Sequence, residues 1–112
     1  MEPLDWSSLR ENCAGDESLV NEVLELFRNE ADGLLADVGK ALQAGDATGV
    51  KRAAHRLKGA LVSLGAKPST EAARALEVSG GAGDLAAASA MLAQLEKEMS
   101  RLMRAISLPQ AA

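Results

Sequence analysis

His55 is the only histidine of this 112-residue chain. Imidazole titrates near pH 6.5, so it is largely neutral at cytoplasmic pH, with an unperturbed pKa of about 6.5. Neutral imidazole is a nucleophile that can carry a covalent intermediate. Lys58 and Gly59 follow His55 by three and four residues, the spacing that places them one helical turn along the same side. At roughly 100° per residue, Val50, Ala54, Leu57, Leu61 and Leu64 form one apolar stripe. His55 falls about 140° from Val50, with Lys51, Lys58 and Val62 nearby and Gly59 opposite the stripe. The ring therefore points outward. Glycine costs about 1 kcal/mol in a helix interior, and here it leaves the ring uncovered from the next turn. A lysine beside it can stabilise a phosphoryl group as a point cation. No glycine-rich phosphate loop, arginine fork or carboxylate pair accompanies these residues. Such a site can receive and pass on a phosphoryl group but cannot bind nucleotide and start the transfer.

Charge is uneven around this segment. Residues 1–39 carry ten acids and two bases, residues 40–67 six bases and only Asp46, and the whole chain has a net charge of −4. An acidic chain thus concentrates its positive charge around its one histidine, which favours an anion or an acidic partner. The net charge argues against nucleic acid as a partner. A single phenylalanine and a single tryptophan, with no tyrosine, leave little for base stacking. One cysteine and one histidine cannot build a Cys/His zinc site or an internal disulfide, so no metal or cofactor is expected on this chain. The longest uncharged run, Leu85–Leu95, is too short to span a membrane. The start lacks the regions of a signal peptide. A cytoplasmic protein off the membrane is expected.

The elements that hold the site are helices. The chain has 22 alanines and 17 leucines against six valines and one isoleucine, a composition that favours helix over strand. Ala14-Gly15-Asp16, Ala44-Gly45-Asp46 and Ala82-Gly83-Asp84 each read as a glycine ending one element and an aspartate capping the next helix. A short helix over 4–12 places Leu4 and Leu9 beside Trp6. A second helix covers 17–43, with Val20, Val23, Phe27, Ala31, Leu34, Val38 and Leu42 on its apolar face. Gly33 and Gly39 there allow either close helix contact or a bend. The third spans 47–64, and the fourth 69–79 after Gly65 and Pro68. Gly80-Gly81-Ala82-Gly83 reads as a flexible connection. The fifth covers 85–106 with Leu85, Ala88, Leu92, Leu95, Met99, Leu102 and Ile106 inward. Cys13, Met91, Met99 and Met103 read as packing residues. The expectation is an all-α, up-down four-helix bundle with a short additional N-terminal helix. It forms a single domain over 1–112, with residues 1–14 as the cap and 107–112, including Pro109, as a frayed tail.

The run Ala54-His55-Arg56-Leu57-Lys58-Gly59, continuing to Leu64-Gly65-Ala66, resembles the signature of histidine-containing phosphotransfer (HPt) domains of bacterial multistep two-component phosphorelays. The resemblance extends from about Gly15 to Leu102 and includes the Gly-Asp helix starts. It implies a phosphocarrier without kinase activity of its own, with His55 as phosphoacceptor through its outer ring nitrogen. Lys58 would neutralise phosphoryl charge, and Gly59 would give steric access. Lys51, Arg52, Arg56 and Val62 would meet the partner. That partner would be a receiver domain of a response regulator or hybrid kinase, whose own acidic site binds Mg2+. Transfer would be reversible. The chain has its own start and no room for a kinase domain, so a free-standing, monomeric carrier is expected unless the 112 residues are an excised fragment. After the glycine the sequence departs from the common pattern. Ala60, Leu61 and Val62 replace small or polar residues, and Ser63 stands where asparagine is frequent. Leu61 fits the core stripe; Val62 either meets the partner or is partly buried.

Two other readings stand beside the carrier. One is a non-catalytic adaptor that binds a receiver or other acidic protein without transfer. The other is an independent enzyme using His55 as general base, which needs a second catalytic group that the sequence does not show. The short turn at Gly45 sets the second helix antiparallel to the third. His55 then lies level with about Leu35, so Arg28, Ala31, Asp32 or Leu35 is expected to flank the site.

Overall fold

The computed structural model describes residues 2–107. They form five helices and no strand: α1 (Trp6–Asn12), α2 (Glu17–Gln43), α3 (Ala47–Leu64), α4 (Lys67–Gly81) and α5 (Leu85–Ser107). Of the expected frayed tail over 107–112, Ser107 is the last residue of α5, and residues 108–112 lie outside the described residues.

Three of the four long helices, α2, α3 and α5, start where a side chain can satisfy free amides, whereas α4 follows Ala66 without a side-chain cap and has Pro68 in its first turn. Asp16 accepts from Ser18 N and Leu19 N, and Asp46 from Gly49 N. Asp84 accepts from Ala87 N at 3.0 Å. These are the three aspartates that follow a glycine in the sequence, and each removes an orphan donor of the first turn. The first helix is two residues shorter than expected. It starts at Trp6 because Asp5 is its cap, in an extended conformation with its carboxylate accepting from Ser8 N. Leu4 precedes the helix and is still buried. Asp5 N also donates to Gly65 O at 3.0 Å, which fastens the start of α1 to the α3–α4 turn. Gly65 ends α3 with φ of 80°, a left-handed cap that glycine adopts without a Cβ penalty.

The helices pack in chain order. α3 lies between α2 and α4, α4 between α3 and α5, and α5 also touches α2, while α1 leans on α2. The core is leucine, alanine and valine from every helix. The α3 stripe is as expected, with Val50, Ala54, Leu57, Leu61 and Leu64 all buried. On α2 the stripe turns slightly: Leu24 is buried, whereas Val23, Leu34 and Leu42 only pack against the core's edge. On α5, Leu85 and Leu92 are likewise at the edge. Cys13 is buried and free, in keeping with a packing role.

The glycines of α4 correct the expected connection. Gly80 and Gly81 are the last turn of α4, and only Ala82, Gly83 and Asp84 join it to α5. A Cβ on Gly80 would lie 2.8 Å from Lys51 N and 3.0 Å from Ala47 O. The absence of that Cβ lets α4 rest on the backbone of α3, one turn before His55. Gly33 and Gly39, by contrast, have nothing within 4 Å of a built Cβ, so no close helix contact is made there, and α2 runs on without a break.

Candidate functional site

His55 projects from the outer side of α3 with its side chain 65% exposed. Beneath it Leu57 and Ala54 are buried, so the wheel position fixes the ring's direction. Gly59 has open space where a Cβ would stand, and no side chain from the next turn shields the imidazole. Val62, 54% exposed, continues this face.

The third member of the site comes from α4. Glu77 Oε2 lies 2.6 Å from His55 Nδ1, and Lys58 Nζ donates to Glu77 Oε1 at 2.6 Å. The Lys58 bond, chiefly, holds the Glu77 carboxyl below its ordinary range, against a burial effect that raises it and with help from His55. An ionised carboxylate only accepts hydrogen bonds. Nδ1 must therefore carry a proton, and in the neutral ring the lone pair is on Nε2. Glu77 thus selects the tautomer and orients the ring, as a carboxylate does for other functional imidazoles. The nucleophilic nitrogen is the one turned away from the carboxylate.

Positive charge surrounds the ring unevenly. Arg56 reaches Asp37 on α2 at 3.8 Å, and Lys58 is taken by Glu77. Lys51, Arg52, His55, Arg56 and Glu77 line an open cleft of about 740 Å³ between α3 and α4. The expected α2 neighbours do not flank the ring. Arg28 pairs with Glu25 on its own helix at 3.0 Å. Ala31, Asp32 and Leu35 line a separate groove with Glu96, Met99, Ser100 and Met103 of α5. The outer side of α3 at His55 turns toward α4, and Asp37 of α2 reaches its edge at Arg56.

Glu77 is the residue that the sequence reading lacks. The turn after α3 is as short as the turn before it. Antiparallel pairing about Gly65 and Ala66 puts His55 level with about residue 76, and Glu77 is the acid at that level. Applied to both turns, the same rule finds it. Among the described residues no cluster of His, Cys, Asp and Glu could hold a metal ion. No helix among them is long and apolar enough to cross a membrane.

An exposed imidazole whose inner nitrogen is held by a carboxylate, on a scaffold of packed helices, is a site that can accept a phosphoryl group. Residues 22–105 match the family model of the Hpt domain, and the chain belongs to that family. It is similar to the crystal structure of histidine-containing phosphotransfer protein B (HptB) from Pseudomonas aeruginosa PAO1. The two are 29% identical with a TM-score of 0.86, over 93% of this chain and 90% of that one. No curated protein matches the chain. Family and structural likeness together give a histidine phosphotransfer role in signalling.

Proposed function

We propose that this chain is a cytoplasmic, monomeric phosphocarrier of a two-component phosphorelay. Its single domain is an up-down four-helix bundle with a short N-terminal helix. His55 accepts a phosphoryl group from the aspartate of one receiver domain and passes it reversibly to another. The observation that carries the reading is the His55–Glu77 contact of 2.6 Å on an otherwise open ring. The Nε2 lone pair attacks phosphorus, the bond to the receiver's aspartyl oxygen breaks, and that carboxylate leaves with the electron pair. The ring becomes a phosphorylated imidazolium whose Nδ1–H already faces the carboxylate of Glu77. Mg2+ belongs to the receiver. Gly59 leaves room for the partner, and Lys51, Arg52, Arg56 and Val62 meet it. Lys58 holds Glu77 with one of its three N–H donors.

Incubation of this chain with a phosphorylated receiver and Mg2+ is the test. The expected result is an acid-labile phosphoprotein that is lost in His55→Gln. Labelling that persists in His55→Gln overturns the assignment. Binding of the receiver without any labelling supports the adaptor reading in its place.

A further inference from the structure

Of the four bases on α3, two have their charge matched by acids from neighbouring helices: Arg56 by Asp37 and Lys58 by Glu77. Lys51 and Arg52 have no acidic partner among the described residues. They precede His55 by four and three residues, which puts them one turn back on either side of the ring. Both line the same cleft as His55. Lys51 is also seated. A Cβ on Gly81 would lie 3.6 Å from its Cδ and 3.9 Å from its Cε, so its stem runs across the end of α4 where Gly81 leaves room.

We infer that Lys51 and Arg52, rather than Lys58, supply the cations that meet the phosphoryl oxygens during transfer. The inference rests on His55 as phosphoacceptor. A dianionic phosphoryl group arriving at Nε2 meets unmatched charge on the Lys51–Arg52 side. On the Lys58 side it meets an ion pair already made. Arg52 can offer its planar fork to two oxygens, and Lys51 a point charge. Lys58 then acts on the reaction through Glu77, as a positioning residue.

A donor without a protein partner separates phosphoryl contact from receiver docking. Phosphoramidate is such a donor. Nε2 attacks its phosphorus, the P–N bond breaks, and ammonia leaves with the three protons already on the donor nitrogen. His55 labelling is followed by phosphorus NMR in wild type, Lys51→Ala/Arg52→Ala and Lys58→Ala, each checked for helicity by circular dichroism. Labelling by a phosphorylated receiver is measured alongside. With each exposed cation worth a few tenths to 1 kcal/mol, the double variant should label roughly three- to thirtyfold more slowly with both donors. Added salt should bring wild type toward the double variant. Lys58→Ala should lose less than the double variant with phosphoramidate. The inference is overturned if the double variant is slow only with the receiver, which makes the two cations docking residues. It is also overturned if Lys58→Ala is the variant that loses phosphoramidate labelling. Neither result touches the carrier reading, which fails only if wild type is labelled by neither donor or His55→Gln is still labelled.

Discussion

Gly80→Ala and Gly59→Ala are the same substitution in two neighbouring helices, and the structure gives them opposite signs. In both, replacing glycine inside a helix gains about 1 kcal/mol of intrinsic helix stability. At Gly59 nothing lies within 4 Å of the new methyl, so Gly59→Ala should stabilise the fold by close to that gain. At Gly80 the methyl meets Lys51 N at 2.8 Å, Ala47 O at 3.0 Å and Val50 Cγ1 at 3.1 Å. Two of the three are backbone atoms, which cannot rotate away. Opening the closest contact to an ordinary 3.4 Å moves α4 off α3 by about 0.6 Å. Overpacking of this kind costs about 1–3 kcal/mol. The propensity gain is common to both variants, so the difference between them isolates the steric cost. Gly80→Ala should be about 1–3 kcal/mol less stable than Gly59→Ala, or about 4 °C in Tm per kcal/mol for a domain near this size. Urea denaturation followed by helical circular dichroism measures it. The displacement also reaches the site, because Glu77 sits one turn back on the moving helix. Gly80→Ala should therefore accept phosphoryl groups more slowly than wild type. If Gly80→Ala is as stable as Gly59→Ala, the close approach of α3 and α4 is not what Gly80 provides.

Glu77 should leave a mark on the pH dependence of stability. Its folded pKa is depressed below the ordinary value of 4.5, chiefly by Lys58. Its contribution is therefore complete above pH 4.5 and is lost as pH falls through the lower folded value. The stability difference between wild type and Glu77→Gln should be level from neutral pH down to that range and then shrink; a difference that stays constant at lower pH refutes the ion pair. In the same series Glu77→Ala should slow phosphoryl acceptance more than Glu77→Gln, because the amide oxygen can still accept from Nδ1–H. Leu57 is fully buried two residues from His55, so Leu57→Ala should destabilise by about 2–5 kcal/mol. A change in urea midpoint equivalent to less than about 1 kcal/mol would show that the core under the site is loose.

What could be read from the sequence is what local chemistry decides. Asp16, Asp46 and Asp84 mark helix starts because a carboxylate beside free amides acts within three residues. The α3 stripe is legible because five aliphatic side chains repeat at the helical period. His55 is legible as an outward residue for the same reason. Gly80 and Gly81 are not legible in this way. Glycine is common in loops and also where two backbones touch, and the approach of Lys51 and Ala47 decides between the two. At Gly33 and Gly39 the close-contact alternative fails in the opposite direction, for nothing lies within 4 Å of a built Cβ. Glu77 is separated from His55 by 22 residues, so it becomes visible only once α3 and α4 are paired about their turn.

That pairing changes what the basic stretch around His55 means. Counted along the chain, residues 40–67 carry six bases and one acid, and every base looks equally able to face an anion. Folding brings Asp37 and Glu77 in from either side and matches two of the α3 charges. The unmatched pair, Lys51 and Arg52, lies on the N-terminal side of the ring, while Gly59 and exposed Val62 lie on the C-terminal side. The face around His55 is thus polarised along α3, with charge at one end and flat or apolar surface at the other. A partner that brings an acidic phosphoryl site has one electrostatically favoured orientation on it. Moving a single unmatched charge from position 52 to position 63, by Arg52→Ala with Ser63→Arg, keeps the net charge and levels that gradient, with Lys51 at one end and the new arginine at the other. Receiver-dependent transfer should fall further than in Arg52→Ala alone, and an unchanged or faster rate would show that net charge, not its placement along α3, directs the partner.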